Sequence, residues 1–574
     1  MRGRDDHLTP FPDDVLEHIL RFITSDKDRN NISLVCKSWN KVESDCRQHV
    51  FIGNCYSISP ERLVHRFRNI TSVTLKGKPR FSDFDLLPSN WGAYALPWVE
   101  VFCKAYPNLE KLRFKRMTIC DQSLQAIARN LIHFKRLTLI TCDGFSSDGL
   151  ASIVKHCKFL ECLDLSENKV ESMSGAWLNE FHGMCTSLAS LNLENVQDNL
   201  DFKALEELVG RCPRLESLKL NRSISLVQMQ YLICRAPQLC ELGTGSFSEE
   251  LTADDLLRLQ NCFNSCRNLS ALSGFWEIGL GTLPVVYPVC KNLTSLDLSY
   301  TSVGYTSFVE LISQCQSLQR LWILDSVGDQ GLRAVASTCK GLKHLRVFPS
   351  EGDGEGVAEE GLVAISEGCC NLLSILYFCK RITNDAVITM SRNCPLLETF
   401  RLAILNPVML DPTTNQSMDE GFGAIVRNCK YLRRLSLSGM LTDKVFEYIG
   451  NFGKKIQRLS IAFAGGSNVG MQSILHGCTN LQKLEIRDSP YGDEALLAGI
   501  NRYEYMRSLW MSGCHVTMRG CMSLASSKQG SLVVEVIKKQ GNVGAGGEEQ
   551  VESVYVYRSI VGPRSDLPPF VIAL

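Results

Sequence analysis

Leucines recur along this chain in a fixed frame, L-x-x-L-x-L. It reads LEKLRF from residue 109, LECLDL from 160, LASLNL from 188, LESLKL from 215, LTSLDL from 293, LRRLSL from 432 and LQKLEI from 481. Looser copies are ITSVTL from 70, FKRLTL from 134, LQRLWI from 318, LKHLRV from 342, LETFRL from 397, IQRLSI from 456 and MRSLWM from 506. The spacing is about 25 residues, inside the ~20–29 residue period of leucine-rich repeats. The closing L-x-L has the period of two of a strand, while the intervening segments, such as SDGLASIVKHC and DQGLRAVASTC, place apolar residues at helical spacing. The pattern predicts an α/β fold, a leucine-rich-repeat solenoid of about 18 strand–helix units curving into a near-closed horseshoe. It occupies residues 51–540.

Two segments fall outside the frame. Residues 1–50 carry FPDDVLEHILRFI and SDKDRNNISLVCKSW, in which Phe11, Val15, Leu16, Ile19, Leu20 and Ile23 repeat at helical spacing with Leu34, Val35 and Trp39 behind them. A helical segment this short buries little surface alone. It is either a cap on the solenoid or a docking module whose apolar face belongs to a partner. The tail, 541–574, holds a Gly-rich linker, GNVGAGGEEQ, and an alternating strand, VESVYVYRSI. The linker lacks the Lys-Ser/Thr ending of a phosphate loop.

Lys+Arg and Asp+Glu both count 61, so the chain has no basic excess of the kind a general nucleic-acid or membrane-surface binder needs. No stretch of ~18 apolar residues and no signal-peptide core are found, which predicts a soluble intracellular protein. Of the 25 cysteines, eleven stand three residues before a leucine of the frame: Cys157, Cys185, Cys212, Cys266, Cys290, Cys315, Cys339, Cys369, Cys394, Cys429 and Cys478. One cysteine per unit is a packing position, expected to stay reduced and buried. The CxxC pairs of zinc sites are absent, and so are HExxH, GxSxG and a placed GxGxxG, so neither a metal centre nor catalysis is expected.

Charge does acquire a pattern once the strand phase is fixed. The x positions of each strand face the concave side. The early strands present Lys76, Lys111, Arg113 and Lys115, with Arg116 alongside; the middle strands are mostly neutral or acidic; the last third turns basic again with Arg320, Arg346, Arg401, Arg434, Arg458, Lys483, Arg487 and Arg507. Close cations repel by ~4 kcal/mol per pair at an effective dielectric near 20, so a shared floor calls for a compact polyanion, and arginine forks suit phosphate. Local acids or solvent are the alternative. Near the basic turn TLKGKPRF stand Phe81 and Phe84; Arg401, Leu402, Ser436, Ser460, Ile461 and Phe378 lie on the later strands. One arginine, two hydroxyls and apolar walls suit a small aromatic acid.

FPDDVLEHILRFI…LVCKSWNKVE resembles an F-box. Together with VFIGNCY, LKGKPRFSDF, WGAYALPW, RVFPSE, LYFC, GFGAIV, LRRLSLSG, LTDKVFEYIG, LEIRDSP and MRSLWMS, it resembles the plant auxin-signalling F-box receptors, the transport inhibitor response family. The resemblance implies a non-catalytic substrate receptor of an SCF-type cullin-RING ubiquitin ligase, acting in the nucleus. Phe11, Pro12, Val15, Leu16, Ile19, Leu20, Leu34, Val35 and Trp39 would dock an Skp1-like adaptor. Inositol hexakisphosphate would be a structural cofactor on Lys76, Lys115, Arg116, Arg346, Arg401, Arg434, Lys483 and Arg507. Auxin would meet Arg401 and Ser436 through its carboxylate, with its ring among Phe81, Phe84, Leu402, Ser460 and Ile461 and Arg80 beneath. The Gly-Trp-Pro-Pro degron of an Aux/IAA repressor would close over the hormone against Phe84, Phe378 and Glu485.

The chain departs from the family pattern in places. Arg80 stands where most members have His, Thr399 replaces a usual basic residue, Ala403 replaces a cysteine, and GDGEGVAEEG follows RVFPSE. Arg80 would then compensate for the charge missing at Thr399 and alter analogue selectivity. The rival readings are a jasmonate-type F-box co-receptor, which shares KGKPR but not FSDF, and a ligand-free leucine-rich scaffold.

Overall fold

A computed structural model describes residues 12–78, 91–168, 175–181, 183, 186–196, 199–248, 252–279, 281–351, 356–527, 532–539, 551–557, 565–568 and 571–573. The chain forms two compact units, residues 1–78 with 92–186 and residues 79–91 with 187–574.

The first unit opens with three helices, α1 (Asp13–Phe22), α2 (Asp26–Ile32) and α3 (Lys37–Cys46). Asp13 and Asp14 occupy the first turn of α1, where the helix dipole favours anions, and the Pro12 carbonyl accepts from the Val15 and Leu16 N–H groups. Ser25 caps α2 by accepting from the Asp28 N–H. Leu16, Leu20 and Val42 meet in a small core, with Ile23, Ile32, Trp39 and Cys46 packed against it. Beside it the fully buried Glu43 carboxylate accepts from Arg29 Nε at 3.2 Å and Arg47 Nε at 2.5 Å. Two guanidiniums on one buried carboxylate tie α2 and α3 together and offset its desolvation. Parallel strands follow at His49–Ile52, Ser72–Lys76, Lys111–Lys115, Arg136–Ile140 and Cys162–Asp164.

The second unit is a parallel ladder from Ser190–Asn192 to Val533–Lys539. The tail strand expected from VESVYVY is present as Val551–Tyr557 and pairs antiparallel with the last rung; GNVGAGGEEQ lies outside the described residues. Leucines of the frame are the buried member of each strand alternation: Leu321, Leu345, Leu435, Leu459 and Leu484 are fully inaccessible.

The cysteine frame marks where many of the repeat helices end. Cys157, Cys212, Cys339, Cys369, Cys394, Cys429 and Cys478 are C-caps. The N–H of the leucine three residues on closes the turn onto the cysteine carbonyl, as in Leu342 to Cys339 at 3.1 Å. All the cysteines of the frame are buried except Cys185, which lies outside the described residues. Their thiols continue the stacking: Cys339 donates to the Cys315 carbonyl at 3.4 Å, and Cys369 to the Cys339 carbonyl at 3.3 Å. A small side chain with one weak donor fits a site that offers a carbonyl and no room.

Helices touch most closely at Gly450 and Gly477, where a Cβ on Gly477 would lie 1.9 Å from the Gly450 carbonyl oxygen. Gly477→Ala therefore forces two helices apart, at an expected cost of ~1–3 kcal/mol. Urea unfolding should show an earlier midpoint for it. Gly341→Ala, whose new methyl would meet nothing nearer than 3.7 Å, should leave the midpoint in place.

Candidate functional site

Strand register in the second unit sorts the inward residues into rows. One row runs Arg320, His344, Ser374, Thr399, Arg434, Arg458, Lys483, Ser508. Two residues further along each strand, a second row runs Trp322, Arg346, Leu376, Arg401, Ser436, Ser460, Glu485, Trp510. Adjacent strands lie ~4.8 Å apart, so Arg434, Arg458 and Lys483 are consecutive cations at close spacing. The Arg346 guanidinium lies 4.2 Å from the Trp322 ring centroid. Burial pulls the His344 imidazole below its ordinary range, and Arg320 and Arg346 push it the same way, which registers the positive field of this row. Arg507 immediately precedes the strand Ser508–Ser512 and is exposed.

The second row opens into a cavity of about 810 Å³ lined by Arg401, Leu402, Ala403, Ser436, Leu437, Ser438, Ser460, Ile461, Ala462, Glu485, Arg487, Asp488, Trp510, Ser512, Gly513, Cys514 and His515. It forms where two strands part. Pairing between Thr399–Ile404 and Arg434–Leu441 ends at Arg401 and Ser436. Beyond that point the Ser438 hydroxyl replaces the ladder by accepting from the Ile404 N–H at 3.0 Å. The strand then bulges between Ser438 and Leu441, with Gly439 at φ +120°, a conformation favouring glycine.

Inside the cavity Arg401 and Ser436 are direct cross-strand partners. The Ser436 hydroxyl oxygen is buried and has no hydrogen-bond partner among the described residues. An unsatisfied buried hydroxyl beside a guanidinium is a place a polar ligand atom would stabilise. Ser460 instead donates to Glu485 Oε2 at 2.5 Å, while Lys483 Nζ lies 2.9 Å from Glu485 Oε1. Glu485, 8 % exposed, thus joins the cationic row to the cavity wall. Trp510, Ala403 and Ala462 supply apolar surface, and Arg487 stands over the Phe463 ring at 5.7 Å while pairing with Asp488 at 2.9 Å. Leu402 and Ile461 line the cavity at only 2 % exposure each, because strand alternation turns them to the core. Phe378 is in register with Ala403 at the cavity's edge and stacks on Phe348.

The sequence expectation thus finds Arg401, Leu402, Ser436, Ser460, Ile461 and Glu485 in one cavity. Arg80, Phe81 and Phe84 lie outside the described residues. Trp510 and His515 were not anticipated there. Trp510 was legible: it holds the same x position in MRSLWM as Glu485 in LQKLEI, its register partner.

In the first unit, Lys76 and Lys115 are paired across adjacent strands, and Lys76 Nζ lies 4.8 Å from the Phe51 ring centroid. Arg116, at φ +53°, donates from Nε to the Lys78 carbonyl at 2.9 Å, and Lys78 pairs with Asp143. Of the basic turn, Lys78 is therefore neutralised locally.

The three helices sort the docking residues. Leu16 and Leu20 are buried in the helical core, and Trp39 packs against it while remaining partly exposed. Val15 (45 % exposed), Ile19 (42 %), Leu34 (81 %) and Val35 (61 %) form the presented apolar set, joined by Phe22 at 74 %; Pro12 is exposed and Phe11 lies outside the described residues. Helix phase decides this split: the buried Leu16 and Leu20 and the exposed Val15 and Ile19 form neighbouring stripes along α1.

The F-box family profile matches residues 9–49, and that of the Transport inhibitor response 1 protein domain matches residues 68–114. A Transport inhibitor response 1-like protein of Oryza sativa subsp. japonica is 47 % identical over 98 % of this chain and 99 % of its own length. GRR1-like protein 1 of Arabidopsis thaliana is 47 % identical over 98 % of this chain and 96 % of its own. Coronatine-insensitive protein 1 of Arabidopsis thaliana is 32 % identical over 98 % and 96 %. An F-box assembles with an Skp1-type adaptor and a cullin, which makes the chain a substrate receptor of SCF type. With its F-box, its leucine-rich strands and this full-length likeness, the chain belongs to the transport inhibitor response family of F-box proteins.

Proposed function

We propose that this receptor is an auxin co-receptor. Arg401 and Ser436 hold the hormone's carboxylate, its ring rests on the small and aromatic walls of the cavity, and the degron of an Aux/IAA repressor closes the site. The observation that carries the reading is the cross-strand pairing of Arg401 with Ser436, whose buried hydroxyl has no partner among the described residues, at the point where two strands part. A guanidinium and a hydroxyl together satisfy one carboxylate, and the charge-assisted bonds are the strong kind. The cavity exceeds what a fused-ring acid fills, which leaves space for a peptide's apolar side chain. The hormone then acts as an adhesive, completing a surface that neither protein completes alone, and the repressor is ubiquitylated by the recruited ligase in the nucleus. The chain itself supplies recognition rather than catalysis. Small residues at Ser436, Ser438, Ala403 and Ala462, and the greater identity to transport inhibitor response relatives, favour auxin over a jasmonate-type ligand. The test is a pulldown of repressor by the adaptor-bound receptor, with and without auxin; recovery that ignores the hormone sinks the proposal.

Arg434 and Lys483 of the cationic row, with Arg346 and Arg401 of the second row and Arg507, are proposed to hold inositol hexakisphosphate. Lys76, Lys115 and Arg116 are proposed as phosphate contacts of the first unit. Removing Arg434 and Lys483 together (both to alanine) should weaken inositol hexakisphosphate binding by about 100-fold, taking ~1.5 kcal/mol per charge-assisted bond lost. Titration calorimetry at two salt concentrations checks it. The natural chain should lose affinity steeply with salt and the double variant less so; equal affinities for the two would remove the row from the site.

A further inference from the structure

We propose that an apolar rim beyond the cavity wall, formed by Leu405, Val408, Met440 and Phe463, is a second docking subsite that takes an apolar side chain of the repressor flanking its Gly-Trp-Pro-Pro core. The inference rests on the co-receptor reading above. Three adjacent strands, Thr399–Ile404, Arg434–Leu441 and Arg458–Ala464, line the cavity with the small residues Ala403, Ser438 and Ala462. Within two positions each chain then reaches a large apolar side chain: Leu405, Met440 and Phe463, at 44 %, 45 % and 40 % exposure. Val408, 71 % exposed, follows Leu405 in the loop after the first strand. Their neighbours Ile404, Leu441 and Ala464 are buried, so alternation sends the exposed set away from the core.

Two backbone features hold these side chains out. The bulge with Gly439 at φ +120° immediately precedes Met440. Phe463 sits at φ +55°, a left-handed conformation that a bulky residue rarely takes, and its ring lies under the Arg487 guanidinium of the cavity wall. Strain of this kind clusters where a surface meets a ligand.

The loop that carries Leu405 and Val408 is fixed in advance. Asp411 is 1 % exposed, and its carboxylate accepts from the Asn384 N–H at 2.7 Å, the Thr413 N–H at 2.8 Å, the Thr413 hydroxyl at 2.6 Å and the Thr414 N–H at 3.1 Å. At one end the Leu405 N–H donates to the Cys379 carbonyl at 2.9 Å. At the other the Met418 N–H donates to the Met440 carbonyl at 3.0 Å, joining the loop to the bulge. A preformed surface binds without the entropic cost of ordering it.

Large apolar side chains grouped on adjacent strand ends and facing water mark an interaction surface. Continuity with the cavity identifies its occupant. A strand advances ~3.4 Å per residue, so the rim begins ~7 Å beyond Ala403. An extended peptide leaving the cavity covers that distance in about two or three residues. The four rim side chains carry no charge, which suits an aliphatic or aromatic flank and disfavours a charged one.

The test is interferometry on the adaptor-bound receptor with indole-3-acetic acid present. A Gly-Trp-Pro-Pro peptide flanked by glycines is compared with peptides carrying a single leucine at successive flanking positions on either side. Leucine at one or more positions should tighten binding by about 5- to 30-fold, the scale of an interface anchor. Val408→Asp and Met440→Ser should each remove that gain, Val408→Leu should keep it, and the glycine-flanked peptide should bind all four chains alike. Unfolding midpoints should agree, since neither side chain is in the core. No gain from leucine, a gain that survives both disruptive variants, or an equal loss of the glycine-flanked peptide would overturn the subsite. So would a concentration-dependent dimer of the natural chain that Val408→Asp abolishes, which would give the rim to a second copy. Core binding that ignores auxin would defeat the co-receptor reading and the rim with it, whereas hormone-dependent core binding without a leucine gain defeats the rim alone.

Discussion

Arg401→Ala is expected to lower auxin-dependent capture of a degron peptide by roughly 10- to 100-fold, from the ~1.5–3 kcal/mol of a hydrogen bond to a charged group. The residue stands at the one point where the ladder between two strands ends, opposite a serine whose hydroxyl has no partner among the described residues. Its position in the second row also puts it next to the cationic row, so its loss should weaken both the proposed carboxylate site and the proposed phosphate floor. Arg401→Lys separates these contributions. It keeps the charge but not the planar fork, so phosphate binding should survive better than hormone-dependent capture. Adaptor binding and the unfolding midpoint serve as controls, and both should match the natural chain, because Arg401 lies outside the core row of leucines. Affinity measured by interferometry on the adaptor-bound receptor decides it; unaltered hormone dependence in Arg401→Ala would remove the residue from the site.

Leu34→Asp should abolish adaptor binding, a drop of at least ~30-fold on the ~2 kcal/mol scale of an interface hot spot, without unfolding the chain. At 81 % exposure Leu34 contributes nothing to the helical core, yet it is a large apolar group beside Val35, itself 61 % exposed. An aspartate there remains solvated in the free protein and would be buried unpaired in the complex. Leu20→Ala makes the contrast. That side chain is fully buried with Leu16 and Val42, so the expected cost is ~2–5 kcal/mol of folding stability, and adaptor binding would fail for a different reason. Circular dichroism separates the cases: native spectrum without binding for Leu34→Asp, lost helical signal for Leu20→Ala. Retained adaptor binding in Leu34→Asp would place the docking face elsewhere.

The repeat was readable because each unit writes its own local code. A leucine at every other strand position and a cysteine at the end of many repeat helices are consequences of period-two alternation and of one recurrent turn, and neither depends on distant residues. Row assignments followed for the same reason: Arg434, Arg458 and Lys483 share an x position, and parallel register brings them side by side. What the sequence left open depends on context. The phase of α1 separates Leu16 and Leu20 from Val15 and Ile19, and it is set by packing against Val42 and Trp39 rather than by spacing. The cavity exists because of a bulge after Ser438, which LRRLSLSG does not announce beyond its glycine. Glu485 was a peptide contact only by the family resemblance; register and two hydrogen-bonding partners place its carboxylate between Ser460 and Lys483. Any degron contact it makes is proposed through that wall.

The central claim is that hormone and peptide bind as one surface. The most direct measurement is the affinity of a Gly-Trp-Pro-Pro peptide for the receptor–adaptor complex, titrated with and without indole-3-acetic acid. Coupling of ~1–3 kcal/mol predicts a peptide affinity about 5- to 150-fold tighter when the hormone is present, and by reciprocity the same gain for hormone when peptide is present. An affinity unchanged by the hormone would contradict the account.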